Sequence, residues 1–168
     1  MFRFRKSNTG FNILESDGFF GIILIHPKNE TNAGTILRTG LNFGVNFIFI
    51  VGDYSSAPGD TNKTSKHVPF FTFTSIDEAL KMIPNKCQLV AIEEENVFRH
   101  KRSSDLSRFK HPKRAMYIFG NEKNGLDNKI VKRANYLVGI NTISSLNLSV
   151  CAGIVMYDRY FKQFKERE

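Results

Sequence analysis

The stretch at residues 140–160 reads INTISSLNLSVCAGIVMYDRY, and its polar first half leads into an apolar second half. Its apolar positions recur three or four residues apart, at Leu146, Val150, Gly153 or Ile154, and Tyr157. This spacing predicts a helix with one apolar face. The start of the helix carries more hydroxyl and amide side chains than an N-cap needs, namely Ser144, Ser145, Asn147 and Ser149. Taken alone, the stretch fits a serine-rich cap on a buried helix and a ligand site equally well.

Length and charge narrow the class of protein. The chain has 168 residues, which suits one domain with a hydrophobic core of its own. Its net charge of +8 favours an acidic partner, with RNA or DNA as the leading candidates. A cationic surface that serves solubility alone gives the same total, so the charge does not separate these two explanations.

The use of cysteine and histidine favours a metal-free protein of a reducing compartment. Cys87 and Cys151 are far apart in apolar surroundings, which predicts two buried thiols. The four histidines, at positions 26, 67, 100 and 111, show no metal-ligand spacing. The basic N-terminus has no apolar segment after it, and no apolar run is long enough to span a bilayer. We therefore expect a cytoplasmic protein without a metal site.

Short apolar runs alternate with helical patterns along the chain. Strands are predicted at 19–25, 47–51, 70–73, 88–92, 115–119 and 136–140. Helices are predicted at 34–43, 75–82, 127–134, and from the serine-rich stretch to about 165. Residues 93–114 are predicted to be a polar connection with at most one helical turn. We expect an α/β fold with a mostly parallel sheet flanked by helices, residues 1–18 forming an arm and 19–168 a single domain.

The predicted turn after the first strand carries three unusual residues. Asn32 can cap the following helix, and Gly34 allows another backbone to approach closely. The guanidinium of Arg38 suits a phosphate or a carboxylate. A surface arginine on an amphipathic helix is the alternative explanation, and it is the usual one for an arginine.

The predicted turn at residues 119–126 places a carboxylate, Glu122, between Gly120 and Gly125 at a strand end. The glycine spacing is that of a phosphate-binding loop, but Leu126 and Asp127 stand where that loop requires lysine and a hydroxyl residue. The glycine pattern of dinucleotide-binding proteins is absent as well. Without the other two stretches, an exposed turn glutamate would be the simpler interpretation.

Together the three stretches resemble the motifs of the SpoU/TrmH family of RNA methyltransferases, part of the SPOUT class. The family's Asn-x-Gly-x-x-x-Arg is present at 32–38, its Phe-Gly-x-Glu-x-x-Gly-Leu at 119–126, and its Ser-Leu-Asn-x-Ser-Val at 145–150. The resemblance spans residues 20–160. Each motif alone is weak, but three in the right order at strand ends are a specific signal.

The resemblance implies a C-terminal deep trefoil knot, in which the last segment threads through a loop, although knots are nearly absent from other proteins. It implies S-adenosylmethionine as the cofactor, bound in the knot largely by backbone groups. The implied cofactor-binding residues are Gly120, Asn121, Gly125, Ile140, Leu146 and Ser149. It also implies a homodimer, for which the final helix with Tyr157 and Tyr160 is the candidate interface.

The reaction that the resemblance implies is methyl transfer, without a metal, to a ribose 2′-hydroxyl of tRNA or rRNA. The implied catalytic residues are Asn32, Arg38, Glu122, Ser145 and Asn147. Because an arginine stays protonated, we interpret Arg38 as the group that holds an RNA phosphate and stabilises alkoxide charge. Asn32 and Glu122 would position Arg38 and the ribose. Ser145 and Asn147 would shape the loop and contact substrate or cofactor.

One departure from the family lies at residues 141–144, which contain neither the proline nor the glycine that most members have there. The cofactor loop is therefore expected to be tighter or differently braced than in those members. A non-catalytic RNA-binding relative with the same knotted fold is an alternative. A small-molecule α/β enzyme is a second alternative, against which the missing nucleotide-binding motif and nucleophile–base pair argue.

Many relatives carry an RNA-binding domain before the first strand, but the 18 residues that precede it here are too few to form one. RNA binding is therefore expected to rest on the catalytic domain itself. The candidate contacts are the basic residues between Arg99 and Arg114, Lys63 and Lys66, and Arg3, Arg5 and Lys6. A solvated basic loop explains the 99–114 run equally well.

Overall fold

The computed structural model describes residues 18–53, 67–93 and 103–165, and its centre is a sheet in which all seven described strands are parallel. The strands are β1 Phe19–Ile25, β2 Phe47–Val51, β3 Phe70–Phe73, β4 Gln88–Glu93, β5 Ser103–Asp105, β6 Arg114–Phe119 and β7 Tyr136–Gly139. The helices are α1 Glu30–Phe43, α2 Ile76–Lys81, α3 Asn128–Arg133 and α4 Leu148–Lys165. The strand order is β3-β2-β1-β6-β4-β7-β5. The predicted α/β class and parallel sheet are confirmed.

Apolar side chains cover both faces of the sheet. Every residue of β2 is buried, as is typical of a parallel strand with helices on either side. Ile36 of α1 and Val155 of α4 belong to the core on one face. Ala79 of α2 and Ile130 of α3 belong to the core on the other. Because the strands are parallel, all their carboxyl ends meet at one side of the sheet, which we call the carboxyl edge.

Helix α1 begins at Glu30 rather than at Gly34. Its N-cap is Asn29, whose side chain accepts a hydrogen bond of 2.9 Å from the Thr31 N–H. The prediction that Asn32 caps the helix is therefore wrong, since Asn32 lies within the first turn. The first turn has few apolar residues, so the periodic pattern from which the start was predicted begins too late.

Strand β5 lies within 93–114, where only a polar connection was predicted. Its sequence, Ser-Ser-Asp, has no apolar pattern, but it pairs with β7 at the edge of the sheet. A short 3₁₀ turn, Leu106–Arg108, follows it. An edge strand pairs on one side only and needs no apolar run, so the sequence gives no signal for it. Three strand boundaries differ by one residue, since β4 reaches Glu93, β6 starts at Arg114 and β7 ends at Gly139. Helices α2 and α3 are each one residue shorter at both ends than predicted.

Helix α4 buries a different face from the one that its spacing predicts. Its buried residues are Leu148, Ala152, Val155, Met156 and Arg159. Val150, Ile154 and Tyr157, which belong to the predicted apolar face, are 50%, 37% and 55% exposed. The helix has two apolar sides, and the periodicity alone did not distinguish the one that packs on the sheet.

A buried polar network fastens α4 to residues 106–113. The Arg159 guanidinium, 1% exposed, donates hydrogen bonds to the carbonyls of Pro112 and Lys113 and to the Tyr117 hydroxyl, at 2.7, 2.9 and 2.9 Å. It also stacks on the Phe20 ring, 4.8 Å from the centroid. His111 bridges Tyr117 and Asp158, at 2.6 and 2.8 Å. Burial is the main cause that lowers the pKa of His111 to about 4, so this imidazole is neutral near pH 7.

Both cysteines are half-buried, whereas two buried thiols were predicted. Burial raises the pKa of Cys87 to about 12, which leaves it protonated and unreactive. Within the described parts of the chain, no helix combines the length and the apolar character that a bilayer crossing requires.

Candidate active site at the carboxyl edge

Three predicted site residues from distant parts of the chain meet at the carboxyl edge. The Asn32 Nδ2 donates a hydrogen bond of 2.8 Å to Glu122 Oε1. The Asn147 Nδ2 donates one of 3.1 Å to Asn32 Oδ1. The two asparagines and the glutamate form a continuous chain, which we call the Asn147–Asn32–Glu122 chain. Only Asn32, at 6% exposed, is buried, so the chain is buried at its centre and exposed at both ends.

The loop that carries Glu122 is a tight turn that depends on its glycines. A Cβ at Gly120 would overlap the Gly125 backbone, so only glycine fits there. Gly125 has φ 64° and donates its N–H to the Asn121 carbonyl at 2.8 Å. The Asn121 side chain accepts from Lys123 N–H at 2.8 Å and donates to the His26 carbonyl at 2.9 Å. These bonds fix the loop to itself and to the end of β1.

The carboxylate of Glu122 is held in its ionised form. Partial burial opposes this by raising its pKa, but the hydrogen bonds that it accepts outweigh burial and lower the pKa below its usual range. The donors are its own N–H, the Asn32 amide, and the N–H groups of Lys28 and Asn29. The Lys28 N–H lies 3.3 Å from Glu122 Oε2. A fixed negative charge therefore orients the Asn32 amide, and Asn32 in turn presents its oxygen to Asn147.

A cleft of about 290 Å³ opens beside Glu122, between the ends of β4, β6 and β7. Five of the six residues predicted to bind cofactor line it: Gly120, Asn121, Gly125, Ile140 and Leu146. The sixth, Ser149, instead donates both its N–H and its hydroxyl to Asn147 Oδ1, at 2.9 and 2.7 Å. Ser149 therefore orients Asn147 from the start of α4. The cleft lies near the lower size limit of small-molecule sites.

Arg38 and Ser145 are not part of the hydrogen-bonded chain. Both are exposed, and Arg38 lies further along α1 than Asn32. Its carbonyl accepts a bond of 2.9 Å from Asn42 Nδ2, but its guanidinium has no hydrogen bond or ion pair within residues 18–53, 67–93 and 103–165. A guanidinium with no partner among the described residues is available to an anionic ligand.

The SpoU rRNA Methylase family matches residues 20–157, which is most of the chain. The chain belongs to this family.

Relatives of this SpoU family chain include RNA methyltransferases. It is 25% identical over 160 residues to an uncharacterized tRNA/rRNA methyltransferase of Borreliella burgdorferi, covering 88% of this chain and 68% of the relative. It is 24% identical to the tRNA (cytidine-2'-O-)-methyltransferase TrmJ of Methanocaldococcus jannaschii, covering 87% and 69%.

The fold is also that of solved SpoU methyltransferases. The crystal structure of AviRb from Streptomyces viridochromogenes in complex with AdoMet matches with a TM-score of 0.75 and 21% identity, over 87% of this chain. The chain spans 58% of the AviRb chain, so AviRb contains further residues that have no counterpart here.

Several residues of the SpoU cleft were not predicted from the sequence. Ile92, Glu93, Thr142, Leu148 and Cys151 also line it. Glu93 accepts a hydrogen bond from the Leu126 N–H, and a Cβ at Gly125 would lie 3.0 Å from either of its carboxylate oxygens. Glu93 thus fixes the far end of the Glu122 loop. Its position at the end of a predicted strand was the one signal that could have identified it.

Proposed function

We propose that this protein is an S-adenosylmethionine-dependent RNA methyltransferase that methylates a ribose 2′-hydroxyl of tRNA or rRNA. The observation that carries the proposal is the Asn147–Asn32–Glu122 chain, which joins all three family motifs beside one cleft. Membership of the SpoU family and the similarity to tRNA and rRNA methyltransferases support it.

The cleft fits the proposed cofactor. Ile92, Phe119 and Leu148 provide apolar walls for an adenine ring, and the backbone around Gly120 and Ile140 provides polar groups. The glycines let the loop close tightly on itself and on Glu93, which holds this backbone at the border of the cleft. When bound, S-adenosylmethionine supplies a methyl group on a sulfonium, which is a good leaving group and needs no metal. Among the described residues, no cluster of histidine, cysteine or carboxylate side chains is arranged to hold a metal ion.

The chain's own residues then orient the acceptor and ease the loss of its proton. Glu122, ionised, and Asn32 position the ribose, while Asn147 and Ser145 shape the loop beside the donor. Arg38 holds the RNA phosphate and stabilises the charge that develops on the hydroxyl oxygen. Because a guanidinium does not accept a proton, the phosphate that it holds takes the proton.

We place the protein in a homodimer through α4. Five residues of this helix are large, apolar and 37–55% exposed: Val150, Ile154, Tyr157, Tyr160 and Phe161. Phe43 of α1 packs against two of them, with ring centroids 6.2 Å from Tyr157 and 5.8 Å from Tyr160. An apolar helix face of this extent suits a second copy of the chain. Tyr157→Glu is expected to yield monomers in sedimentation experiments. Lys129→Glu, at an exposed position on α3, is the control and is expected to remain dimeric.

The C-terminal trefoil knot is part of the proposal. Strand β7 lies between β4 and β5, although both precede it in sequence. A strand that comes late in the sequence but lies between two earlier strands supports the proposed knot. A chain with only two cysteines further supports a reducing compartment, the cytoplasm.

The proposal is tested with purified protein, radiolabelled S-adenosylmethionine, and bulk tRNA or rRNA as acceptor. We expect label in RNA as 2′-O-methyl nucleotides, and heat of cofactor binding by calorimetry. Arg38→Ala is expected to bind the cofactor normally and to lose at least about a hundredfold in transfer rate. RNA binding without cofactor heat would identify a non-catalytic relative and contradict the proposal.

A further inference from the structure

The turn at residues 26–29, between β1 and α1, holds one side chain at an unusual conformational cost. His26 has φ 44°, in the left-handed region that residues other than glycine rarely adopt. Its ring lies against Gly52, where φ is 116° and where a Cβ would overlap His26 Nδ1. A strained backbone and a glycine at the end of β2 thus combine to place this imidazole.

Packing does not explain the arrangement. His26 is exposed, so its ring buries little apolar area against the strain of its backbone. Strained residues of this kind persist where the surrounding structure fixes them, and they cluster at ligand sites. Backbone hydrogen bonds hold His26 in this conformation, because its N–H donates to the Val51 carbonyl at 2.8 Å and its carbonyl accepts from Asn121 at 2.9 Å. The fixed backbone therefore gives the exposed imidazole a set position beside the Glu122 loop.

The turn is mechanically joined to the proposed catalytic loop. Asn121 Nδ2 donates to the His26 carbonyl at 2.9 Å, and the Lys28 N–H donates to Glu122 Oε2 at 3.3 Å. The positions of His26 and Lys28 are thus set relative to the carboxylate that orients Asn32. A ligand bound on this turn would be placed with respect to the same carboxylate.

The order of the strands gives the direction in which such a ligand extends. The cleft lies at the ends of β4, β6 and β7, whereas His26 and Gly52 follow β1 and β2. Glu122 and Asn32 lie between the two. If the methyl donor occupies the cleft and the ribose lies at Glu122, the rest of the substrate extends over β1 and β2 and passes His26.

We propose, on the basis of the RNA methyltransferase function above, that residues 26–28 form a phosphate-binding turn. The His26 imidazole N–H and the Lys28 ammonium bind phosphates of the nucleotides that flank the methylated one. Both side chains are exposed, and a neutral imidazole keeps one N–H donor in either tautomer. Contacts of this kind place the RNA backbone without reading its sequence.

The test measures RNA affinity, cofactor affinity and methyl transfer separately. In His26→Ala we expect the Kd for bulk tRNA or rRNA to rise about tenfold, with the Kd for S-adenosylmethionine unchanged. Lys28→Ala should reduce the slope of log Kd against log salt concentration by about one unit. His26→Gly removes the imidazole but relieves the strained φ, so it should lose RNA affinity equally at an equal or higher melting temperature.

His67 provides a matched control, because it is also exposed but precedes β3 at the opposite edge of the sheet. His67→Ala should bind RNA as the wild type does. RNA affinity within about twofold of wild type in His26→Ala would overturn the inference. A parallel loss of cofactor affinity would also overturn it, since the turn would then support the loop rather than RNA. A wild-type protein that binds RNA without transferring methyl groups would refute the proposed function instead.

Discussion

Asn32→Asp is the substitution that probes the candidate site most directly. It replaces an amide that donates to Glu122 Oε1 at 2.8 Å with a carboxylate of the same shape. Loss of a hydrogen bond to an ionised acceptor costs about 1.5–3 kcal/mol. Two unit charges at that separation repel by about 1.5 kcal/mol in water and by about 6 kcal/mol at an effective dielectric constant of 20. Because Glu122 is exposed, the lower figure applies, and we expect a total of at least about 3 kcal/mol.

The pH dependence of this variant has a definite sign. In the wild type the pKa of Glu122 is lowered by folding, so its contribution to stability is present at neutral pH and is lost as the pH falls. In Asn32→Asp the two carboxylates share a proton, which raises the pKa of one of them in the folded state. The variant is therefore penalised most near pH 7 and least near pH 4.

Thermal unfolding at about pH 4.5 and about pH 7.5 measures this difference. A loss of about 3 kcal/mol at the higher pH corresponds to a melting temperature lower by roughly 6–12 °C for a chain of this size. Asn42→Asp is the control, since Asn42 also donates an amide hydrogen bond from α1 but to the Arg38 carbonyl. If Asn32→Asp were as stable as Asn42→Asp at neutral pH, the Asn147–Asn32–Glu122 chain would be refuted.

Three further substitutions test the loop and the buried network. Gly120→Ala should weaken binding of S-adenosylmethionine at least about tenfold by calorimetry, because the added Cβ overlaps the Gly125 backbone. Gly153→Ala is the control and should bind the cofactor normally, because its Cβ would meet only Thr39, at 3.8 Å. Arg159→Met should lower the free energy of unfolding in urea by about 3 kcal/mol, because the Pro112 carbonyl loses its hydrogen bond; a change below about 1 kcal/mol would contradict this. Because folding lowers the pKa of His111 to about 4, stability should fall as the pH drops from about 6.5 to about 4, and His111→Gln should flatten that dependence.

The sequence was sufficient for the sheet because its central strands are unbroken apolar runs. β1 and β2 have the predicted bounds, and β6 differs by one residue. The polar strand β5 gave no signal, because its formation depends on pairing with β7 and not on its own side chains. The buried face of α4 could not be predicted from the sequence either, because residues such as Val150 and Tyr157 are as apolar as those that pack on the sheet.

Most of the candidate site could be predicted from polar residues that no helix or strand pattern requires at their positions. Asn32, Glu122 and Asn147 were predicted to converge, and the structure brings them within hydrogen-bonding distance. Their motifs carried this information because each follows a strand of one parallel sheet. The strain at His26 could not be predicted, since it depends on contact with Gly52, a residue from another strand end.

The basic run of residues 99–114 could be placed only in part. Residues 99, 101 and 102 lie outside the described ranges, as do Lys63, Lys66, Arg3, Arg5 and Lys6. Lys113 and Arg114 are exposed at the start of β6, the opposite edge from Glu122. An RNA that touches both Arg114 and the site has to run along the full length of the strand.

The bond from Asn147 to Asn32 joins residues that are 115 positions apart. During translation, the ribosome releases Asn32 long before Asn147 is made. A nascent chain therefore carries Asn32 and Arg38 for most of its synthesis before Glu122 and Asn147 exist to complete the site. The proposed site closes only when the last helix docks, so a chain that ends before Asn147 is expected to lack methyl transfer.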